Sequence, residues 1–242
     1  MSQLLTSEAP VNQSVERAVR LLSFFSAEEP ELTLTQLTQR LATSKATTHR
    51  YTLALRRAGL LRYDAGAYSL GPRVVELAAT ALAGLRILRV AGPTMQRLVA
   101  ELNETVVLSI WDGEQPIVMR VDDNTDRLVR IVVRTGARLP RVDSAQGKVF
   151  LAFGPDAGEL AAGERQEIQT TRIAVNSQLV DGIRAMATPV FQGDEVTAAM
   201  AIVGTIVSLP DDPASSAALR LRAAADALSA ELGFLSEERS TA

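Results

Sequence analysis

The stretch that most constrains the fold runs from Leu34 to Gly71 and reads LTQLTQRLATSKATTHRYTLALRRAGLLRYDAGAYSLG. Leu34, Leu37 and Leu41 recur at helical spacing behind Thr33, a residue type suited to capping a helix start. Ala42-Thr43 leaves room for a tight turn only. Ser44 can cap a second helix running to about Ala58, and Gly59 closes it. LLRY, a turn at Asp64-Ala65-Gly66, and AYSL then form a two-stranded wing. Thr48, Thr52 and Leu55 share one face of the second helix and are expected to pack inward. Helix, turn, helix and wing in this order make a winged helix-turn-helix, a device for reading a duplex from its major groove.

Charge supports that reading. Between Arg40 and Arg73 the only acid is Asp64, against Arg40, Lys45, Arg50, Arg56, Arg57, Arg62 and Arg73. The whole chain of 242 residues carries a net −3, yet residues 1–75 sum to +3, which leaves −6 for the rest. A basic head on an acidic body fits contact with nucleic acid by the head alone. Small residues near the start of the second helix allow close approach to a groove. Lys45, Ala46, Thr47, His49 and Arg50 are expected to face it. Arg50 is the candidate for paired contact with guanine, and Ser44 or Lys45 for a phosphate. Arg62 and Tyr68 on the wing are candidates for the DNA backbone. His49 could equally cap or pack.

Around this segment, residues 1–12 read as a loose tail, and Ser14 to roughly Ala27 as a helix with Val15, Ala18, Val19, Leu22 and Phe25 in period. Gly71-Pro72 opens another helix. Val74, Ala78, Ala81, Leu85 and Leu88 form a heptad-like stripe along it, compatible with packing on its own domain and with pairing to a second copy. Gly84 is expected to bend or interrupt it, and a further helix to run from Pro93 to Leu102.

From Thr105 the hydrophobic period changes to two. TVVLSIW and PIVMRV read as a hairpin, LVRIVVR (Leu128–Arg134) as a third strand, and GIRAMATPVF with VTAAMAIVG as a second hairpin. Helices are expected over Ser144–Phe153 and after Asp212-Pro213, the latter with Ala217, Leu221, Ala224, Leu228 and Leu232 on one face. Hairpins flanked by helices argue an α+β domain with a mostly antiparallel sheet.

The order of these blocks resembles the IclR family of bacterial transcription regulators. In the head, SVERAVRLLSFF, the segment quoted above and YSLGPRVVEL carry the resemblance; in the body, ETVVLSIWDG, RTGARLPRVDSAQGKVFLAF, GIRAMATPVF and AAMAIVG do. It implies residues 13–71 as the DNA-binding domain, 72–91 as a connecting and dimerisation helix, 92–236 as a GAF-like α/β effector-binding domain, and 237–242 as a tail. It implies a homodimer or dimer of dimers on a partly palindromic double-stranded operator, with a small-molecule effector, often an organic acid. The pocket would be formed by Ser144, Ala145, Gln146 and Gly147, by Val175, and by Ala185, Ala201 and Val203 on two strands. Ser144 can itself cap a helix whose free amides suit a carboxylate.

Several family-typical polar positions are small and apolar here. Ala185, Ala201 and Val203 offer no side-chain hydrogen bond, Val175-Asn176 replaces an acidic pair, and Arg141-Val142 replaces Leu-His. An apolar pocket favours an aromatic or aliphatic effector, or marks a weakened site. The connection GPDAGELAAGERQEIQTTRIAVNSQLVD is shorter than usual for the family, which predicts reduced cover over the pocket.

Other functions find less. No cysteine is present, which excludes disulfides, thiolate zinc sites and cysteine nucleophiles, and a single histidine leaves few acid–base constellations. Gly147-Lys148 lacks the first glycine of a phosphate loop (Val142) and its Ser/Thr (Val149). Asp122, Asp123 and Asp126 read as a polar turn, without the glycine and glutamate of a calcium loop. No cofactor or metal is expected. No apolar run approaches the ~20 residues of a membrane span, and MSQLLTSEAP lacks a signal's basic start. The sequence thus predicts a cytoplasmic, non-enzymatic regulator. A sensor or assembly module that does not bind DNA remains as the alternative, and an enzyme as the more distant one.

Overall fold

A computed structural model describes residues 12–26, 28–123, 131–154 and 157–233. The chain divides into two compact units, residues 1–84 and 85–242.

The first unit begins with α1 (Gln13–Leu22), which stops short of the expected end; Ala27 lies outside the described residues. A short strand β1 (Glu31–Thr33) leads into α2 (Leu34–Leu41). Thr33 and Gln36 form a reciprocal capping box: Thr33 Oγ1 accepts from the Gln36 amide at 3.3 Å, and Gln36 Oε1 accepts from the Thr33 amide at 2.8 Å. Ala42 turns the chain in the left-handed region (φ 52°), and α3 (Lys45–Arg57) follows. The wing is β2 (Leu61–Asp64) and β3 (Ala67–Leu70). β3 pairs with both β1 and β2, so the wing is a three-stranded sheet of order β1-β3-β2. Leu21, Leu32, Leu37, Leu41, Leu55, Leu61 and Tyr68 make the core. Gly71 packs so closely on Gly59 that a Cβ would overlap the Gly59 carbonyl oxygen. α4 (Pro72–Gly84) ends the unit and buries no residue.

The second unit opens with α5 (Arg86–Leu102), longer than expected, with Pro93 inside it. Proline forfeits one helical hydrogen bond. Ile87 and Ala91, six and two residues upstream, are buried, which offsets that loss. The stripe is divided where α4 ends at Gly84, the expected interruption: Leu85 and Leu88 pack on the core of the second unit, while in α4 Val74 is half-buried and Ala78 and Ala81 stand exposed, with Val75, Leu77 and Leu82 exposed beside them.

The sheet is antiparallel, of order β5-β4-β8-β7-β6, built from β4 (Thr105–Trp111), β5 (Pro116–Asp122), β6 (Ala174–Asn176), β7 (Ile183–Gln192) and β8 (Glu195–Thr205). The third strand expected over Leu128–Arg134 is not observed in Ile131–Arg134, and residues 128–130 lie outside the described residues. The segment instead approaches β5 further on, where Gly136 and Ala137 exchange backbone hydrogen bonds with Val118.

Alternation along the strands sorts the two faces. Val106, Leu108, Met186, Met200 and Ile202 pack against α5 and α8 (Ser216–Glu231). Val107, Ala187, Ala199, Ala201 and Val203 pack against α6 (Ala145–Phe153) and Ile168 of α7 (Ala162–Thr171). The connection after Phe153, read as short of cover, therefore holds a helix of its own and the edge strand β6.

Candidate nucleic-acid interface and ligand cavity

In the first unit, Thr48, Thr52 and Leu55 are buried and seat α3 on α1 and α2. Thr48 Oγ1 lies 2.9 Å from Thr43 Oγ1, which ties the turn to the helix. Ser44 caps α3: its Oγ accepts from the Thr47 amide at 3.2 Å and donates to Thr47 Oγ1 at 2.9 Å. Both hydroxyls are thus engaged locally. Lys45, Ala46, His49 and Arg50 are exposed on the opposite side, and Thr47 is half-buried. Among the described residues, the side chains of Lys45, His49 and Arg50 have no hydrogen-bond or ion-pair partner, so their donors are free for a ligand.

The basic surface is narrower than the count of arginines implies. Arg40 bonds Glu29 at 2.6 Å and the Phe24 carbonyl at 3.1 Å, bracing the base of α2. Arg73 pairs with Glu76 at 2.8 Å on α4. On the wing, exposed Arg62 donates through Nε to Ser69 Oγ at 2.8 Å and leaves its other nitrogens outward. Tyr68 is not on the surface. It is 4% exposed, part of the core, and its hydroxyl accepts from Thr52 Oγ1 at 3.3 Å. Because β3 is the central strand, its alternate residues face the helices. The exposed ring of the wing is Tyr63, with the Arg56 guanidinium stacked 5.2 Å above it.

In the second unit, a cavity of about 260 Å³ opens between the N-terminus of α6, the sheet and two loops. Ser144, Ala145 and Gln146 form one wall; Asn176, Ala185 and Val203 form the floor; Ile131, Val133 and Leu139 close one side, and Leu179, Val180 and Ile183 another. The floor is a row across the sheet. Thr105 pairs with Val203, Val203 with Ala185, and Ala185 with Asn176. Thr105 Oγ1 also donates to the Ile131 carbonyl at 3.3 Å and holds that side wall.

Four sequence-predicted residues sit differently from expectation. Ser144 lines the cavity, but its hydroxyl accepts from the Gly147 amide at 3.0 Å and donates to the Pro140 carbonyl at 2.6 Å. What α6 offers a ligand is its free backbone amides. Gly147 lies behind them, where a Cβ would overlap the Arg141 carbonyl oxygen. Ala201 is fully buried one row away, paired with Val107 and Ala187. Val175 pairs with Met186 and packs on the other face, against the α5–α8 core. Its neighbour Asn176 takes the cavity position. In so short a strand, one residue of register decides which of the two points at the cavity. The side walls from 131–139 and 179–183 carried no signal beyond apolarity.

A second hollow, about 350 Å³, lies by Trp111, Phe150, Phe153, Asp194 and Glu195. Its aromatic wall is already covered in part by Arg141, whose guanidinium sits 5.1 Å above the Trp111 ring. Nearby, burial of Asp112 opposes its ionisation. The amides of Gln115 and Glu114 and the Arg138 guanidinium outweigh that effect and hold its carboxyl below the usual 3.8. Among the described residues no cluster of His, Asp or Glu could hold a metal ion, and no helix is long and apolar enough to cross a membrane.

Residues 14–65 match the model of the IclR helix-turn-helix domain, and residues 79–177 that of the bacterial transcriptional regulator IclR C-terminal domain. The chain belongs to the IclR family. It is a DNA-binding transcriptional regulator with an N-terminal helix-turn-helix and a C-terminal α/β domain. Among its relatives, the HTH-type transcriptional regulator XynR of Escherichia coli is 29% identical over 93% of this chain and 99% of its own length, and the HTH-type transcriptional regulator KipR of Bacillus subtilis is 28% identical over 92% and 98%. An IclR transcriptional regulator from Alicyclobacillus acidocaldarius is 26% identical, covers 90% of this chain and 97% of its own, and superposes with a TM-score of 0.74. An IclR homologue from Microbacterium hydrocarbonoxydans, solved with 4-hydroxybenzoate, shares the fold at 22% identity and a TM-score of 0.76 over 91% of this chain and 99% of its own.

Proposed function

We propose that this regulator binds a partly palindromic operator as a homodimer or dimer of dimers, and that a carbon-rich organic acid in the cavity of its second unit controls binding. The observation that carries the DNA half is the solvated, unpartnered set Lys45, His49 and Arg50 at the start of α3. Arg50 reads a base edge. Lys45 and the outer nitrogens of Arg62 meet phosphates, and exposed Tyr63, in place of buried Tyr68, is the wing's aromatic contact to the DNA backbone. Ser44 and Thr47 shape the helix start, and Ala46 lets it approach. The exposed apolar residues of α4 supply the pairing surface between copies.

The ligand half rests on the cavity floor, where Ala185 and Val203 present hydrocarbon, and on the amide end of α6. A relative that holds 4-hydroxybenzoate has the same fold, which makes benzoate-like acids the first to try. Leu179 and Val180 serve as cover. The protein acts by binding, without turnover, in the cytoplasm.

Selection of bound sites from random duplexes, followed by footprinting and sedimentation, tests the reading. The expected result is a two-fold symmetric footprint, with half-sites about one turn, ~34 Å, or a multiple apart. An asymmetric footprint, or a monomer at micromolar concentration, overturns it.

A further inference from the structure

Asn176 is 6% exposed, lines the cavity, and has one half of its side chain spent and the other idle. Oδ1 accepts from the amides of Gln178 and Leu179 at 3.0 and 3.2 Å, which fixes the turn after β6. Nδ2 is buried and has no hydrogen-bond partner among the described residues. An unpaired buried amide costs free energy, so a partner that supplies an acceptor is favoured. The turn locks the carboxamide, so Nδ2 cannot rotate away to find one. The N-terminus of α6, another wall of the same cavity, presents amides that are donors as well.

We infer, on the proposed ligand cavity, that Asn176 determines which ligands enter it: Nδ2 donates to an oxygen of a singly charged carboxylate whose remaining surface is hydrocarbon. The charge balance points to a monoanion. Asn176 and Gln146 are uncharged, and among the described residues that line the cavity none carries a positive charge to neutralise a second carboxylate. The rest of the floor, Ala185 and Val203, gives an oxygen-rich ligand nothing to bond. The class is therefore a compact aromatic or aliphatic monocarboxylate, selected over its neutral amide and over dicarboxylates.

Asn176→Asp isolates this role, because a carboxylate retains the acceptor for Gln178 and Leu179 and replaces only the donor, with a negative charge. Fluorine NMR on the full chain, with 4-fluorobenzoate, 4-fluorobenzamide and fluoroterephthalate as probes, reads binding down to millimolar affinity. Val203→Trp, which fills the floor, reports whether binding is in the cavity. The expected result is that the unaltered protein prefers 4-fluorobenzoate, that Asn176→Asp weakens it by about tenfold or more while 4-fluorobenzamide holds or gains, and that Val203→Trp abolishes both. An unchanged acid-to-amide ratio in Asn176→Asp, with binding still blocked by Val203→Trp, overturns the role of Asn176 and leaves the cavity standing. Binding indifferent to Val203→Trp, or no binding of any probe, overturns the cavity and this inference with it.

Discussion

α3 and α6 begin with the same device. Each starts at a serine, Ser44 or Ser144, whose Oγ accepts from the amide of the third helical residue, at 3.2 Å and 3.0 Å. Around Ser44 the chain is exposed and cationic, with Lys45, His49 and Arg50 in water. Around Ser144 it is walled in, with Ala145, Gln146 and Gly147 buried. A capped helix start is a generic donor of amides. Surroundings decide its use: in water it can only assist side chains that carry full charge, whereas in a dry cavity the amides themselves become strong enough to select a ligand.

The comparison breaks most visibly if the two units are not independent. Leu37→Ala removes a fully buried side chain from the small core of the first unit and is expected to cost about 2–5 kcal/mol there. The single tryptophan, Trp111, lies in the second unit. Helical signal and DNA binding should therefore be lost at a temperature where Trp111 fluorescence is unchanged. A joint transition by both probes would show one cooperative body.

Next in size is Arg50→Ala, expected to weaken specific DNA binding by roughly 1–3 kcal/mol and relax base preference. Lys45→Ala should weaken all sequences evenly. Neither should alter 4-fluorobenzoate binding. If Arg50→Ala lowers general affinity and leaves the specificity ratio intact, the base and phosphate roles are reversed. On the cavity side, Val203→Ser adds a hydroxyl to the floor and should shift preference toward smaller, more oxygenated acids by about 1 kcal/mol. Calorimetry with benzoate against pyruvate measures it, and no shift would mean that the floor does not touch the ligand.

The smallest effect concerns pH. Asp112 has its carboxyl held below the usual 3.8, so its contribution to stability is complete above that value and is lost as pH falls through the lowered one. Asp112→Asn should flatten the loss of stability of the second unit in that acid range and leave the first unit unaffected. Urea titrations followed by Trp111 fluorescence at a series of acid pH values would show this as converging midpoints for the two proteins.

What was legible in the sequence was local. Thr33, Ser44 and Ser144 announce helix starts because a cap needs only residues within one turn, and the antiparallel hairpins follow from period two. Misreadings arose where a distant partner decides. Tyr63 and Tyr68 look alike until β1 joins the far side of β3 and makes it central. Val175 and Asn176 differ by one residue of register in a strand of three, and β7 sets that register. Pro93 looks like a helix start until the burial of Ile87 and Ala91 is seen to hold the helix together ahead of it. The connection after Phe153 shows its length in the sequence but not its folding into α7, whose residues do not line the cavity.

The row Thr105–Val203–Ala185–Asn176 has a consequence for the history of such a protein. Each of these positions has one chain neighbour, Val106, Ile202, Met186 or Val175, that packs in the α5–α8 core on the other face of the sheet, so the residues of the cavity floor and those that hold the fold adjoin along the same strands. A lineage can exchange one member of the row at a time, trying a new chemical signal with each exchange, while the scaffold that positions the row is inherited intact.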